Sequence, residues 1–154
     1  MLEQAYYIAE LVGVVAIVCS LIFVGVQMRQ NNRVTMSATR HSLSEHALQL
    51  ISFQATHADR MARAMREPNL EPGDALFLEN VFRMTFQLAE NYHTQFKLGL
   101  MPEEHWTGFA KFIEDMLQGR RAVEFWQRYN GHYGGDFATW VDGLITPKEP
   151  KEKV

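Results

Sequence analysis

The stretch LVGVVAIVCSLIFVGVQM, residues 11–28, contains eighteen consecutive residues without a charge. A β-strand usually has about five or six residues, so this stretch is too long for a strand. As an α-helix it extends roughly 27 Å at about 1.5 Å per residue, close to the ~30 Å hydrocarbon core of a bilayer. Tyr6 and Tyr7 precede it, and tyrosine is enriched at membrane interfaces. The sequence therefore predicts a transmembrane helix.

Two other kinds of apolar segment have different sequence features. A cleaved secretion signal begins with basic residues and ends at a small-x-small cleavage site, whereas this segment is preceded by Glu3 and Glu10. A helix of a soluble bundle is apolar on one stripe, whereas residues 11–28 are apolar on every side. The pattern favours an uncleaved anchor.

The residues that flank the apolar run predict its orientation. No lysine or arginine precedes the run, while Arg29, Arg33 and Arg40 follow it. Positively charged residues favour the cytoplasmic side, so we expect the N-terminus outside and the C-terminal domain in the cytoplasm. Gln27, Arg29 and Asn31 are the predicted positions at which the helix leaves the membrane.

Small residues recur at a spacing of four within the predicted anchor. Ala9 and Gly13 form one such pair, and Ala16 and Ser20 form another. Small side chains allow the backbones of two membrane helices to approach closely. We therefore predict that these four residues pack against another helix, from a second copy or from a partner subunit.

The remainder of the chain shows helical spacing of apolar residues, interrupted by proline and glycine. The fold class is therefore predicted as all-α, with a single N-terminal transmembrane helix followed by a helical bundle of four to five helices. Gly99 is predicted to end one helix and Asp136 to cap another. The predicted helical segments cover residues 34–66, 74–99, 102–117, 120–130 and 136–144. The predicted domains are an anchor at 1–30, a bundle at 31–145 and a charged flexible tail at 146–154.

Charge and cysteine content exclude some classes of partner and site. The net charge of −3 falls entirely on residues 34–154, and an acidic domain binds a phosphate backbone poorly. We therefore expect no nucleic-acid partner. Cys19 is the single cysteine, so the chain has no intramolecular disulfide or cysteine-based zinc site.

The segment from Glu90 to Gln95 carries the strongest candidate chemistry. Glu90 and His93 form a Glu-x-x-His step, which helical di-iron bundles use twice together with two further carboxylates. The sequence shows one such step, so a hydrogen-bonding pair is the favoured interpretation, and we predict no metal, cofactor or catalytic residue. A metal- or small-ligand-binding domain centred on Glu90 and His93 is the alternative. Asn91 and Gln95 are predicted to join Glu90 and His93 in a polar core, because polar groups on an apolar helix usually find partners.

A third hypothesis concerns the basic residues near the C-terminus. Arg120, Arg121 and Arg128 are interleaved with aromatic residues, and arginines beside a bilayer attract anionic lipid head groups. The same spacing is typical of a helix with aromatic residues inward and arginines in solvent.

Two stretches of the chain carry a family resemblance: LIFVGVQMRQNN at 21–32 and ENYHTQFKLGLMPEEHW at 90–106. Together they resemble a widespread group of uncharacterised bacterial single-anchor membrane proteins with a small C-terminal helical domain. The first stretch carries Gln-x-Arg-Gln-Asn after the anchor, and Phe23 stands where such a family would have tyrosine. The resemblance implies a bacterial inner-membrane location and a helical domain, and it implies no activity.

These observations lead to one expected function. We expect a non-enzymatic, membrane-anchored interaction protein, which serves as an accessory or stabilising subunit of a larger membrane complex or as a homo-oligomeric scaffold. Its expected partners are membrane lipid and either other membrane protein subunits or copies of itself.

Overall fold

The computed structural model describes residues 2–145, without the side chains of residues 2–6, 8 and 9. The predicted tail at 146–154 lies outside the described residues. The described residues 2–145 are 88% helical and contain no strand, which confirms the all-α prediction. The described helices are α1 (Leu2–Thr56), α2 (Ala58–Arg66), α3 (Pro72–Lys97), α4 (Glu103–Met116), α5 (Arg120–Tyr129) and α6 (Gly135–Ile145), with a 3-10 turn at Asn130–His132.

Contacts divide the chain into two compact units after Ala38, within α1. The N-terminal unit is a helix whose large apolar side chains between Leu11 and Met28 are all 48–67% exposed. The Ser20 hydroxyl donates a hydrogen bond to the Ala16 carbonyl at 2.9 Å, so the helix itself satisfies this donor.

The C-terminal unit is a helical bundle organised around α3, which contacts α2, α4, α5 and α6. Apolar residues of α3 recur every three or four positions and supply the centre of the core, because this spacing places them on the buried faces of the helix. Phe86 of α3 and Trp126 of α5 have no exposed surface, and their ring centroids lie 4.9 Å apart. A second cluster joins the last part of α1 to α3 and α4 through Leu43, Leu50, Leu88 and Trp106.

Several helix ends follow the sequence signals. Gly99 has a φ of 69°, its amide donates to the Phe96 carbonyl, and the Leu100 amide donates to the Gln95 carbonyl. This is a Schellman motif, in which glycine adopts the left-handed conformation, so the predicted stop at Gly99 is confirmed. Gly119 lies directly before α5, which begins at Arg120 as the predicted segment 120–130 does.

Two details differ from the sequence-based expectation. The predicted continuous helix over 34–66 is interrupted at His57, whose φ of −111° and ψ of 23° depart from helical values. The His57 ring lies against Phe53 and Phe77, at centroid distances of 4.8 and 5.6 Å, so tertiary packing holds the residue at the break. Asp136 lies in the first turn of α6 and does not cap it, because that helix begins at Gly135.

Candidate functional site

The apolar part of α1 is an exposed surface, because all of its large apolar side chains between Leu11 and Met28 are exposed. By length and composition, α1 is a helix that is able to cross a membrane, and none of its most apolar window is buried inside the protein. The predicted packing residues Gly13, Ala16 and Ser20 are exposed on this helix, whereas the side chain of Ala9 lies outside the described part. The predicted exit residues Gln27, Arg29 and Asn31 are also exposed in α1.

Glu90 joins α3 to the loop that precedes α6. Its Oε1 accepts a hydrogen bond of 2.6 Å from the Gly134 amide, and its Oε2 accepts one of 3.0 Å from the Gln87 side chain. A Cβ atom added at Gly134 would lie 3.1 Å from Glu90 Oε1, so a larger residue there would force the carboxylate to shift. Both carboxylate oxygens of Glu90 therefore take part in structural hydrogen bonds.

His93 lies one turn further along α3, in an aromatic environment. Its side chain is buried, with Trp106, Phe137 and Trp140 at ring-centroid distances of 5.4, 5.7 and 5.8 Å. Burial is the main cause that lowers the pKa of His93 below its usual value, since it penalises the charged imidazolium. The imidazole is therefore neutral at pH 7, and it packs as an aromatic ring within the core.

The four predicted polar-core residues do not form one contact set. Glu90 bonds to Gln87 and Gly134, His93 packs among aromatic rings, and Asn91 is exposed. Gln95 is half-buried, and its Oε1 is a buried acceptor without a hydrogen-bond partner in the described structure. Among the described residues, no group of three or more His, Cys, Asp and Glu side chains is arranged to hold a metal ion.

The arginines of α5 all have partners on the protein. Arg128 forms an ion pair with Glu79 at 3.1 Å, and Arg120 pairs with Glu124 one turn along the same helix at 3.5 Å. Arg121 donates to the backbone carbonyl of Glu67. The Arg128 and Arg121 contacts join α5 to α3 and to the loop before α3, whereas the Arg120 pair lies within α5.

A groove in the C-terminal unit is a feature that the sequence does not reveal. It has a volume of about 540 Å³ and lies between the last part of α1, α3, the loop after α3, and α4. Its apolar lining includes Leu43, Leu50, Leu88 and Phe109. Phe112 also lines it and is exposed. No local sequence pattern predicts this groove, because its walls come from segments that are distant along the chain.

Polar side chains line the groove beside this apolar surface. Arg40 is exposed there and forms no ion pair with any described residue. Glu104 and His105 approach each other to 3.7 Å. Tyr92 stacks on Phe109 at a centroid distance of 4.1 Å, and burial raises the pKa of its hydroxyl, so this group stays protonated.

The chain matches no protein-family model, no curated protein and no solved structure in the comparisons with known proteins.

Proposed function

We propose that the protein is a non-enzymatic, membrane-anchored interaction protein of the bacterial inner membrane. In this role it is an accessory or stabilising subunit of a larger membrane complex, or a homo-oligomeric scaffold. One observation carries the membrane part of the proposal: the apolar side chains of residues 11–28 are exposed, and the protein's own fold does not cover them.

The physical argument concerns the free energy of that exposed surface. Moving one large aliphatic side chain out of water contributes about 1.5–3 kcal/mol, and this helix presents such side chains on every side. A bilayer removes them from water while the helix keeps its backbone hydrogen bonds internal. The Ser20 hydroxyl donates to the Ala16 carbonyl, so this hydroxyl enters the bilayer already hydrogen-bonded and its insertion costs less free energy.

The topology of the proposed anchor is testable by protease protection. The cluster of Arg29, Arg33 and Arg40 after the apolar run favours a cytoplasmic C-terminal domain. We expect protease added to intact spheroplasts to leave this domain uncut, and added to permeabilised spheroplasts to degrade it. A periplasmic and a cytoplasmic marker protein provide the controls. Digestion of the domain in intact spheroplasts would reverse the proposed orientation.

The small residues of the anchor support association with another helix. Ala16 and Val18 lie on roughly opposite sides of α1, because 3.6 residues complete a turn. We expect Ala16→Leu to reduce cross-linking to any partner in native membranes by about fivefold, since a larger side chain separates closely packed helices. Val18→Leu is the matched control, with little expected change.

The measurement is chemical cross-linking in native membranes, followed by native mass analysis in a gentle detergent. A cross-linked species above the mass of one chain, lost in Ala16→Leu and kept in Val18→Leu, supports the proposal. A stable monomer without partners in membranes and in detergent would contradict the interaction role, and would leave the anchor unaffected.

A further inference from the structure

The groove between α1, α3 and α4 has the dimensions of a small-molecule site. Its volume of about 540 Å³ falls inside the range of roughly 300–1,000 Å³ that ligand pockets occupy. Every residue that lines it belongs to the unit that begins at Thr39, so the site is formed within one compact body. Leu43, Leu50 and Leu88 provide a buried apolar floor.

The groove is partly open to solvent, and its floor is apolar. A narrow polymethylene chain fits a groove of this size. Each methylene group that leaves water raises affinity about fourfold, so a long chain gains most of its affinity from the apolar floor.

Several polar groups of the groove have no hydrogen-bond or ion-pair partner among the described residues, and two of them suit a polar head group. The Arg40 guanidinium forms no ion pair there, and the Tyr92 hydroxyl forms no hydrogen bond there. Glu104 also lines the groove and approaches His105 to 3.7 Å, whereas Arg40 has no ion-pair partner among the described residues. An amphiphile with an anionic head group is therefore complementary to the Arg40 end of the groove. A carboxylate accepts two hydrogen bonds from a guanidinium, so it suits Arg40 well.

The position of the groove along the chain favours a ligand that the bilayer supplies. Arg40 follows Met28, the end of the apolar run, by twelve residues. Twelve residues of chain span at most about 40 Å, so the groove stays within reach of the membrane surface if residues 11–28 are inserted. A membrane amphiphile is therefore held at a high local concentration beside the site.

We infer that this groove binds a single long-chain fatty acid from the bilayer, with the acyl chain on the Leu43, Leu50 and Phe109 surface and the carboxylate on Arg40. The inference rests on the proposed membrane anchor, because the anchor is what brings the groove to the lipid. It adds a lipid ligand to a protein proposed above to act through protein contacts.

Full-length protein in lipid nanodiscs, with a photoreactive sixteen-carbon fatty acid in the bilayer, tests this inference. We expect cross-links in the peptides that contain residues 39–54 and 100–112, and we expect unlabelled palmitate to compete with them. Octanoate should compete at least about tenfold less well, because it buries eight fewer methylene groups. The methyl ester of palmitate should also compete less, because it carries no charge.

Gly108 provides a variant that fills the groove from its wall. Gly108 lies on α4, lines the groove, and has no heavy atom within 4 Å of the position of an added Cβ. Gly108→Leu is expected to reduce groove labelling about fivefold or more, without disturbing the core. Gly143→Leu on α6 is the matched control, because Gly143 is also helical, exposed and open, and it lies outside the groove.

Arg40→Gln tests the head-group contact, with Arg33→Gln as its control. We expect Arg40→Gln to reduce labelling about threefold to fivefold, which is the effect of losing one exposed ion pair. We expect Arg33→Gln to leave labelling unchanged. Labelling confined to residues 11–28, or groove labelling that neither Gly108→Leu nor palmitate reduces, would overturn the inference and leave the anchor standing. Failure of the chain to enter nanodiscs would instead overturn the proposed anchor itself.

Discussion

Arginine at both Val14 and Val18 is expected to release the protein from the membrane fraction. The two positions lie one turn apart in the N-terminal half of the apolar run, and both side chains are exposed. An arginine at the centre of a membrane helix costs about 2.5–3.5 kcal/mol, so the pair costs at most about 5–7 kcal/mol. Each Leu, Ile, Phe or Val contributes only about 0.3–0.6 kcal/mol to insertion. The two arginines therefore offset most of the insertion free energy that this run supplies. Alkaline extraction of membranes followed by centrifugation measures the distribution.

Two control variants separate insertion from other effects of the substitutions. Val14→Leu with Val18→Leu keeps the run apolar and is expected to stay in the membrane pellet. Asn31→Arg with Thr35→Arg adds the same charge beyond the apolar run and is expected to stay there as well. A double-arginine variant that resists alkaline extraction would show that some other part of the chain holds the protein in the membrane. Wild-type protein that is soluble without detergent would contradict the anchor directly.

The parts of the fold that follow from the sequence are those that local chemistry determines. The length of the apolar run indicates a helix, since only a helix of eighteen residues satisfies its own backbone over that distance. Gly99 ends α3 because glycine alone adopts a φ of 69° without steric cost. Pro102, with its fixed φ and missing amide, stands at the start of α4. Each of these signals acts within a few residues.

The features that the sequence does not reveal depend on contacts between distant residues. The break at His57 is stabilised by packing against Phe77, twenty residues further along the chain. Glu90 meets Gly134 across a separation of forty-four residues, and no local pattern distinguishes this carboxylate from a solvated one. His93 looks like a ligand in a Glu-x-x-His step, yet the aromatic residues of α4 and α6 surround it. The groove likewise exists only after α1, α3 and α4 have packed.

Trp126→Ala is expected to destabilise the C-terminal bundle more than any other single truncation in it. Trp126 has no exposed surface and packs against Phe86 at 4.9 Å, Tyr133 at 5.1 Å and Phe137 at 5.7 Å between ring centroids. Its indole N–H donates a hydrogen bond of 2.7 Å to Asp142, which joins α5 to α6. Truncating a buried tryptophan costs about 3–5 kcal/mol, a large share of the roughly 5–15 kcal/mol that stabilises a typical domain.

The loss of unfolding free energy is measured by pulse proteolysis of the full-length protein in detergent, across a series of urea concentrations. Urea is the denaturant because it does not readily dissociate an apolar anchor from a micelle. Trp126→Phe keeps most of the ring contacts and removes the indole N–H, so its free energy of unfolding is expected to lie between those of wild type and Trp126→Ala. Leu76→Ala on α3 is the matched surface control, since Leu76 is 60% exposed and a substitution there changes stability by about 0.5 kcal/mol or less. If Trp126→Ala cost no more than Leu76→Ala, α5 would not be packed against α3 and α6, and the bundle described above would be wrong at its centre.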